Sequence, residues 1–246
     1  MKDRFQDQWE ALGASDPYWA VLTNPQKKGG RWDHDEFFGT GQEEIQILLA
    51  KINRLGIRPR RGLALDFGCG VGRLSRALAG AFERVLAVDM AESMLAEARA
   101  ANAAYVNITF ERNDPDNLAS VASGSVDLVY SNITLQHALP ATQTALIREF
   151  CRVLGPDGVL VFQTPSRENP RSLAGLLHRM LGNRLLNLVR RLRYGKDGVM
   201  EIHTLRRAAV LDLLASEGME VIAIERYDTA GSAFVSYRYF ATKGGG

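Results

Sequence analysis

The stretch Leu65-Asp66-Phe67-Gly68-Cys69-Gly70-Val71-Gly72-Arg73 restricts this chain more than any other. A short apolar run, LALDF at 63–67, stops at three alternating glycines, and a helical pattern through Leu74 and Leu78 follows. Glycines there let the backbone turn sharply and approach a ligand closely, just before a helix N-terminus. The same strand-then-helix rhythm recurs downstream. RVLAVD (84–89) reads as a second strand and Ala91 to Ala104 as an alanine-rich helix. NITFE (107–111) and VDLVYS (126–131) read as the third and fourth strands. Thr142 to Leu154 reads as a helix, Gly155-Pro156-Asp157-Gly158 as a turn and VLVFQT (159–164) as a fifth strand. Continuous apolar strands alternating with helices predict an α/β fold, a parallel sheet covered on both faces. Such sheets bind ligands at the carboxyl ends of their strands.

The flanks differ. Residues 1–40 hold Trp9, Trp19 and Trp32 with little helical periodicity, and are expected to form an aromatic leader or lid. Regular structure is expected from Thr40, because Thr40-Gly41-Gln42-Glu43 has capping-box spacing and Ile45, Leu48, Leu49 and Ile52 follow at helical intervals. The main domain is expected over 41–246, with a helical insertion at 167–203. There Leu173, Leu177, Met180, Leu185 and Leu188 form an apolar stripe opposed by Arg171, Arg179, Arg184, Arg190 and Arg191. A helix from Thr204 to about Ser216 and two strands, 219–225 and 233–241, complete the pattern. The last strand alternates apolar and polar residues, as an antiparallel edge strand does.

Composition excludes several classes. A net charge of +2 over 246 residues is too balanced for a general nucleic-acid binder. The amino-terminal MKDRFQDQWE lacks an apolar targeting core, so the expected setting is the cytoplasm. Two cysteines make no disulfide framework, and no metal-ligand pattern emerges; His34 has no second histidine at i+4.

The candidate chemistry lies at the strand ends. A dinucleotide fingerprint needs GxGxxG, but the third glycine falls one residue early and Arg73 takes its place. Asp66, expected to face the loop, would repel a pyrophosphate and attract a cation. S-adenosylmethionine (AdoMet) carries a sulfonium and an ammonium, so charge favours it over a nicotinamide dinucleotide. Asp89 ends the second strand where an acid accepts from ribose hydroxyls. Met90 is placed to pack on adenine, and Asn113-Asp114 to accept from its amino group. Cys69 is read as a small residue of the ligand-holding loop, not as a nucleophile.

These segments together resemble the class I AdoMet-dependent methyltransferases, in particular their type 11/12 small-molecule group. LDFGCGVGRLS is similar to the family's first motif, VLAVDM to its second and ERNDPDNL to its adenine segment, with Ala119 where proline is usual. SVDLVYSNITLQHAL is similar to the fourth-strand motif. RVLGPDGVLVF is similar to the Lys-Pro-Gly-Gly turn, departing at Gly155 and Asp157. The resemblance implies a Rossmann-like seven-stranded sheet in the order 3-2-1-4-5-7-6, strand 7 antiparallel. It gives Asp66, Gly68 and Gly70 to the methionine end of the donor, Asp89 to the ribose and Asp114 to the adenine. Asn132 and Ile133 would line the donor pocket near the transferring methyl.

Catalysis by in-line methyl transfer needs positioning, and a base only where the acceptor must lose a proton. His137 and His203 are the candidates for that base and for acceptor contact, with Tyr18, Trp19 and Trp32 as acceptor-side aromatics. The expected acceptor is a small molecule methylated at oxygen or nitrogen, a sugar or secondary metabolite. The insertion's arginines point to an anionic or carrier-linked form of it. Contact of the insertion with a membrane surface is a lesser expectation. A donor-binding sensor without turnover and an RNA methyltransferase are the rival readings; the latter lacks the Asn-Pro-Pro-aromatic signature, so no specific nucleic acid is expected.

Overall fold

The computed structural model describes residues 2–181 and 201–244, with side chains from residue 6 onward. The part of the arginine–leucine stripe running from Arg184 to Arg191 lies outside the described residues.

The central sheet has seven strands in the order β3-β2-β1-β4-β5-β7-β6. These are β1 (Leu63–Phe67), β2 (Arg84–Asp89), β3 (Ile108–Arg112), β4 (Val126–Ser131), β5 (Leu154–Glu168), β6 (Met219–Arg226) and β7 (Phe234–Lys243). The first five pair in parallel, while β7 runs antiparallel to both β5 and β6. This is the order the resemblance implied, and it corrects only the edge reading taken from the alternation of the last strand. β7 inserts between β5 and β6, its polar alternates Ser236 and Arg238 are buried, and β6 is the edge. The glycine turn expected at 155–158 is also absorbed into pairing, since Leu154 already lies opposite Val126 and a register shift accommodates the extra residues.

Helices cover both faces, as continuous apolar strands require. On one face, α6 (Pro140–Val153) and α8 (Arg207–Ser216) pack Phe150, Ile147 and Leu214 against Val129, Leu160 and Tyr239. On the other, α3 (His34–Arg54) and α4 (Arg73–Ala79) pack Ile45, Leu48, Ile52 and Leu78 against Leu128, Tyr130 and Val161. α5 (Glu92–Ala101) follows β2, and residues 173–181 are helical (α7).

The leader is not irregular. It forms α1 (Lys2–Ser15) and α2 (Pro17–Val21), and α3 begins at His34 rather than at Thr40. Asp33 caps it by accepting from the Glu36 amide at 2.9 Å, and Asp35 and Glu36 complement the positive helix end. Thr40 instead bonds back to the Phe37 carbonyl at 2.6 Å, the habit of a hydroxyl inside a helix. Helix α1 docks on α5: the Glu10 carboxylate accepts from the Glu92 and Ser93 amides at 2.7 and 2.9 Å, a cap supplied from another helix. Gly41 sits where α3 crosses α4; a Cβ there would lie 2.4 Å from the Arg73 carbonyl oxygen.

Candidate active site

Strand order reverses between β1 and β4, and a cavity opens at the carboxyl ends of the strands beside that point. Gly68 and Gly70 form its floor, with φ values of 75° and 52° that a side chain would strain. Asp89 reaches the same floor from β2. Its Oδ2 accepts from the Gly70 amide at 2.9 Å and its Oδ1 from the Ala91 amide at 3.0 Å. Each oxygen keeps a further lone pair, so the carboxylate can accept from two more donors. Burial pushes the Asp89 carboxyl above its ordinary range, and the amides of Ala91, Gly70 and Met90 pull against that shift.

Met90, Asn113, Asn132 and Ile133, read from the sequence as donor-binding, line the same cavity. Three other residues expected at the donor do not. Asp66 is 1% exposed and lies beneath the loop, where the Ser75 hydroxyl donates to it at 2.6 Å. Burial lifts its carboxyl to about 7, against the pull of Ser75. Cys69 is buried with Ala87 and Leu95, and Asp114 is exposed, accepting from the Asn117 amide at 3.2 Å.

The leader supplies a wall, but through other residues than expected. Tyr18 packs on Phe37 and donates to Glu97 at 2.7 Å. Trp19 donates to the Asn24 carbonyl at 3.0 Å and Trp32 to that of Leu22 at 3.2 Å. Trp9, Ala20 and Val21 are the leader side chains on the cavity. Trp9 meets the His137 ring edge-on, centroids 5.1 Å apart. The signal for Trp9 was faint: an i, i+3 pair with Leu12, which is buried.

His137 is 5% exposed and lines the cavity. Its ring ends a run of amides. The Ile133 backbone N–H donates to Gln163 Oε1 at 3.3 Å, and Gln163 Nε2 donates to Gln136 Oε1 at 3.5 Å. Gln136 Nε2 then faces His137 Nε2 at 3.1 Å, and His137 Nδ1 faces the Glu201 carbonyl oxygen at 2.9 Å. A backbone donor at one end and a backbone acceptor at the other orient every group between them. Nδ1 carries the proton and Nε2 accepts. Burial, opposed by the Glu201 carbonyl, brings the imidazole down to about 4, so the ring is neutral. His203 does not line the cavity; its amide donates to the Gln136 carbonyl at 2.8 Å and its ring faces Glu201 at 3.6 Å. Ile133 adopts φ 62°, a left-handed conformation costly for a β-branched residue and common where a site stores strain.

A residue the sequence reading passed over holds this wall from behind. Glu44 of α3 accepts from Tyr130 and from Asn132 Nδ2, both at 2.6 Å, and from Arg73 at 2.8 Å. A carboxylate offers no proton, so the Asn132 amide must turn its NH₂ toward Glu44. The signal lay in spacing: Glu44 is four residues before Leu48, on the apolar face of α3.

Comparison with known proteins agrees with this geometry. Residues 64–158 match the family described as methyltransferase domain. A malonyl-[acyl-carrier protein] O-methyltransferase of Methylococcus capsulatus is 38% identical over 126 residues, 50% of this chain and 44% of that protein. A ubiquinone biosynthesis O-methyltransferase of Paracidovorax citrulli is 28% identical over 213 residues, 84% and 87% of the two chains. The first of these alignments thus spans less than half the relative's length. Among solved structures, magnesium protoporphyrin IX methyltransferase from Synechocystis PCC 6803, with bound SAH, superposes with a TM-score of 0.64 at 22% identity, covering 99% of this chain and 100% of that one. The glycine-floored cavity thus lies at the switch point of a 3-2-1-4-5-7-6 sheet whose residues 64–158 match a methyltransferase domain, on a fold similar to that of the magnesium protoporphyrin IX methyltransferase.

Proposed function

We propose that this protein transfers a methyl group from AdoMet to an oxygen or nitrogen of a small-molecule acceptor, free or carrier-linked. The observation that carries the reading is the Asp89 carboxylate, tied by one oxygen to the Gly70 amide and left with lone pairs at the cavity floor. Those lone pairs suit the two ribose hydroxyls of an adenosyl group. Met90 and Asn113 line the part of the cavity that would take the base, and Gly68, Gly70, Asn132 and Ile133 the part that would take the methionine. AdoMet, when bound, supplies a methyl group on a sulfonium. The protein's contribution is to hold the acceptor in line with it and to keep water out, using Trp9, Val21, Phe67 and Leu135. Asp66, buried under the floor, acts on the site by shaping the Gly68–Gly72 turn through Ser75.

Titration calorimetry with AdoMet, S-adenosylhomocysteine and NADH tests the reading. Both adenosyl ligands should bind, and Asp89→Ala should weaken them by at least tenfold, since a charge-assisted hydrogen bond contributes about 1.5–3 kcal/mol. Binding of NADH alone would overturn it. Adenosyl binding without methyl transfer to anything in an extract of the source cells would leave a donor-binding sensor.

A further inference from the structure

We propose that α7 docks on the surface of a lipid bilayer rich in anionic headgroups, laying its leucine face into the interface. Such docking is independent of the methyl-transfer reading. Leu173, Leu176, Leu177, Met180 and Leu181 recur at i, i+3, i+4, i+7 and i+8, which is one face of a helix. A surface helix of a globular protein turns such a face to the core. Here all five side chains are exposed, Leu173 by 75% and Met180 by 81%. The residues turned inward are Gly175 and His178, both buried.

Hydrogen bonds and a close approach hold the helix in that orientation. Asn169 follows β5; its backbone amide donates to the Ala233 carbonyl at 2.8 Å and its Nδ2 to that of Ser232 at 3.0 Å. Its Oδ1 accepts from the Arg171 amide at 3.1 Å, which turns the chain toward α7. Ser172 caps the helix, its hydroxyl accepting from the Gly175 amide at 3.2 Å. A Cβ on Gly175 would collide with the Asn169 carbonyl and lie 2.9 Å from the Ala233 carbonyl oxygen. Three residues on, the His178 ring meets Phe234 edge-on, centroids 4.7 Å apart. Residues three apart share a helix face, so holding Gly175 and His178 inward holds the leucines outward. Rolling the helix to bury them would put a leucine where only a glycine fits.

Charge selects the occupant. Residues 169–196 hold seven arginines and lysines and no aspartate or glutamate; with +2 on the whole chain, the rest carries −5. Arg171 and Arg179, which belong to the described part, are both exposed. A second copy docked on the leucine face would bring two such basic stretches together, like against like. An anionic headgroup layer meets both demands, with apolar depth for the leucines and negative charge for the guanidinium groups. Among the described residues no helix is long and apolar enough to cross a membrane, so α7 lies in the plane of the surface. It departs from β5 beyond Glu168, which pairs with Phe234 at the start of β7. That is the carboxyl end of the parallel strands, where the cavity opens, so docking turns this end of the sheet toward the lipid.

Flotation of the full chain with vesicles tests this. Vesicles of phosphatidylcholine mixed with phosphatidylglycerol should bind it, vesicles of phosphatidylcholine alone should bind it at least about tenfold less, and added salt should release it. Leu173→Gln/Met180→Gln should cut binding by about tenfold or more, because two side chains lose their apolar burial. Arg171→Gln/Arg179→Gln should cut binding to the anionic vesicles by about 25-fold at low salt, about fivefold for each charge. All four side chains are exposed, so both variants should melt as the wild type does. Val106→Gln, at an exposed apolar residue just before β3 and so at the opposite end of the sheet, should leave binding unchanged. No binding to the anionic vesicles overturns the proposal, as does binding that both α7 variants retain. If sedimentation velocity then shows a dimer that Leu173→Gln/Met180→Gln dissolves, the leucine face belongs to a second copy. A monomer that binds no vesicle assigns the face to the chain itself or to a protein partner.

Discussion

Replacing Glu44 by alanine should unsettle the protein more than any other single change on the α3 face. The side chain is 15% exposed and its partner Arg73 is 4% exposed, so the pair is shielded from water and salt. Removing the carboxylate strands the buried guanidinium and takes the acceptor from Tyr130 and Asn132. Breaking a buried pair by removing one partner costs about 3–5 kcal/mol. A domain of this size loses about 2–4 °C of Tm per kcal/mol, which predicts a fall of roughly 6–20 °C. Calorimetric or circular-dichroism melting checks the number. The double variant Glu44→Leu/Arg73→Met should recover most of the loss, because an apolar pair of similar volume carries no unpaired charge. Affinity for S-adenosylhomocysteine should stay weakened in the double variant, because Asn132 still lacks its anchor. A destabilisation under about 1 kcal/mol for Glu44→Ala would refute the view that the cluster is dry and mutually dependent.

Other outcomes are expected on the same grounds. Asp66 holds a proton up to about pH 7 in the folded state but only to about pH 4 unfolded, so its contribution makes stability fall as pH rises through that window; Asp66→Asn should flatten the slope in urea titrations. Cys69 and Cys151 are buried, and burial lifts the first thiol well above its usual range and the second to about 12. Neither should react with Ellman's reagent at pH 8 until the protein is unfolded. Trp9 is the tryptophan on the cavity while Trp19 and Trp32 pack elsewhere, so Trp9→Phe should abolish a fluorescence change on adding S-adenosylhomocysteine.

What the amino-acid sequence disclosed is what local chemistry dictates. The glycine turn at 68–72 was visible because backbone conformation leaves few alternatives there, and β1, β2 and β4 because buried parallel strands are apolar throughout. The leader was misread because α1 and α2 draw their order from docking on other elements, as Glu10 does on α5. Glu44 and the relay from Ile133 to His137 depend on residues far apart in the chain, which no spacing rule connects. Asp66 was placed on the right strand, but its direction was not encoded in that position. Burial under the loop, on the side of Ser75, sets it.

The place of β7 also governs the order in which the sheet can be assembled. Strands β3, β2, β1, β4 and β5 form an unbroken parallel block from residues 63–168 that needs no later strand for its pairing. β6 is made before β7, yet it joins the sheet through β7 alone. During synthesis β6 must wait, its hydrogen-bonding edges open, until the last strand slides between it and β5. A chain stalled before residue 234 would hold a five-stranded core with one bare edge at β5 and a second, unattached strand beside it, a combination prone to pairing between molecules.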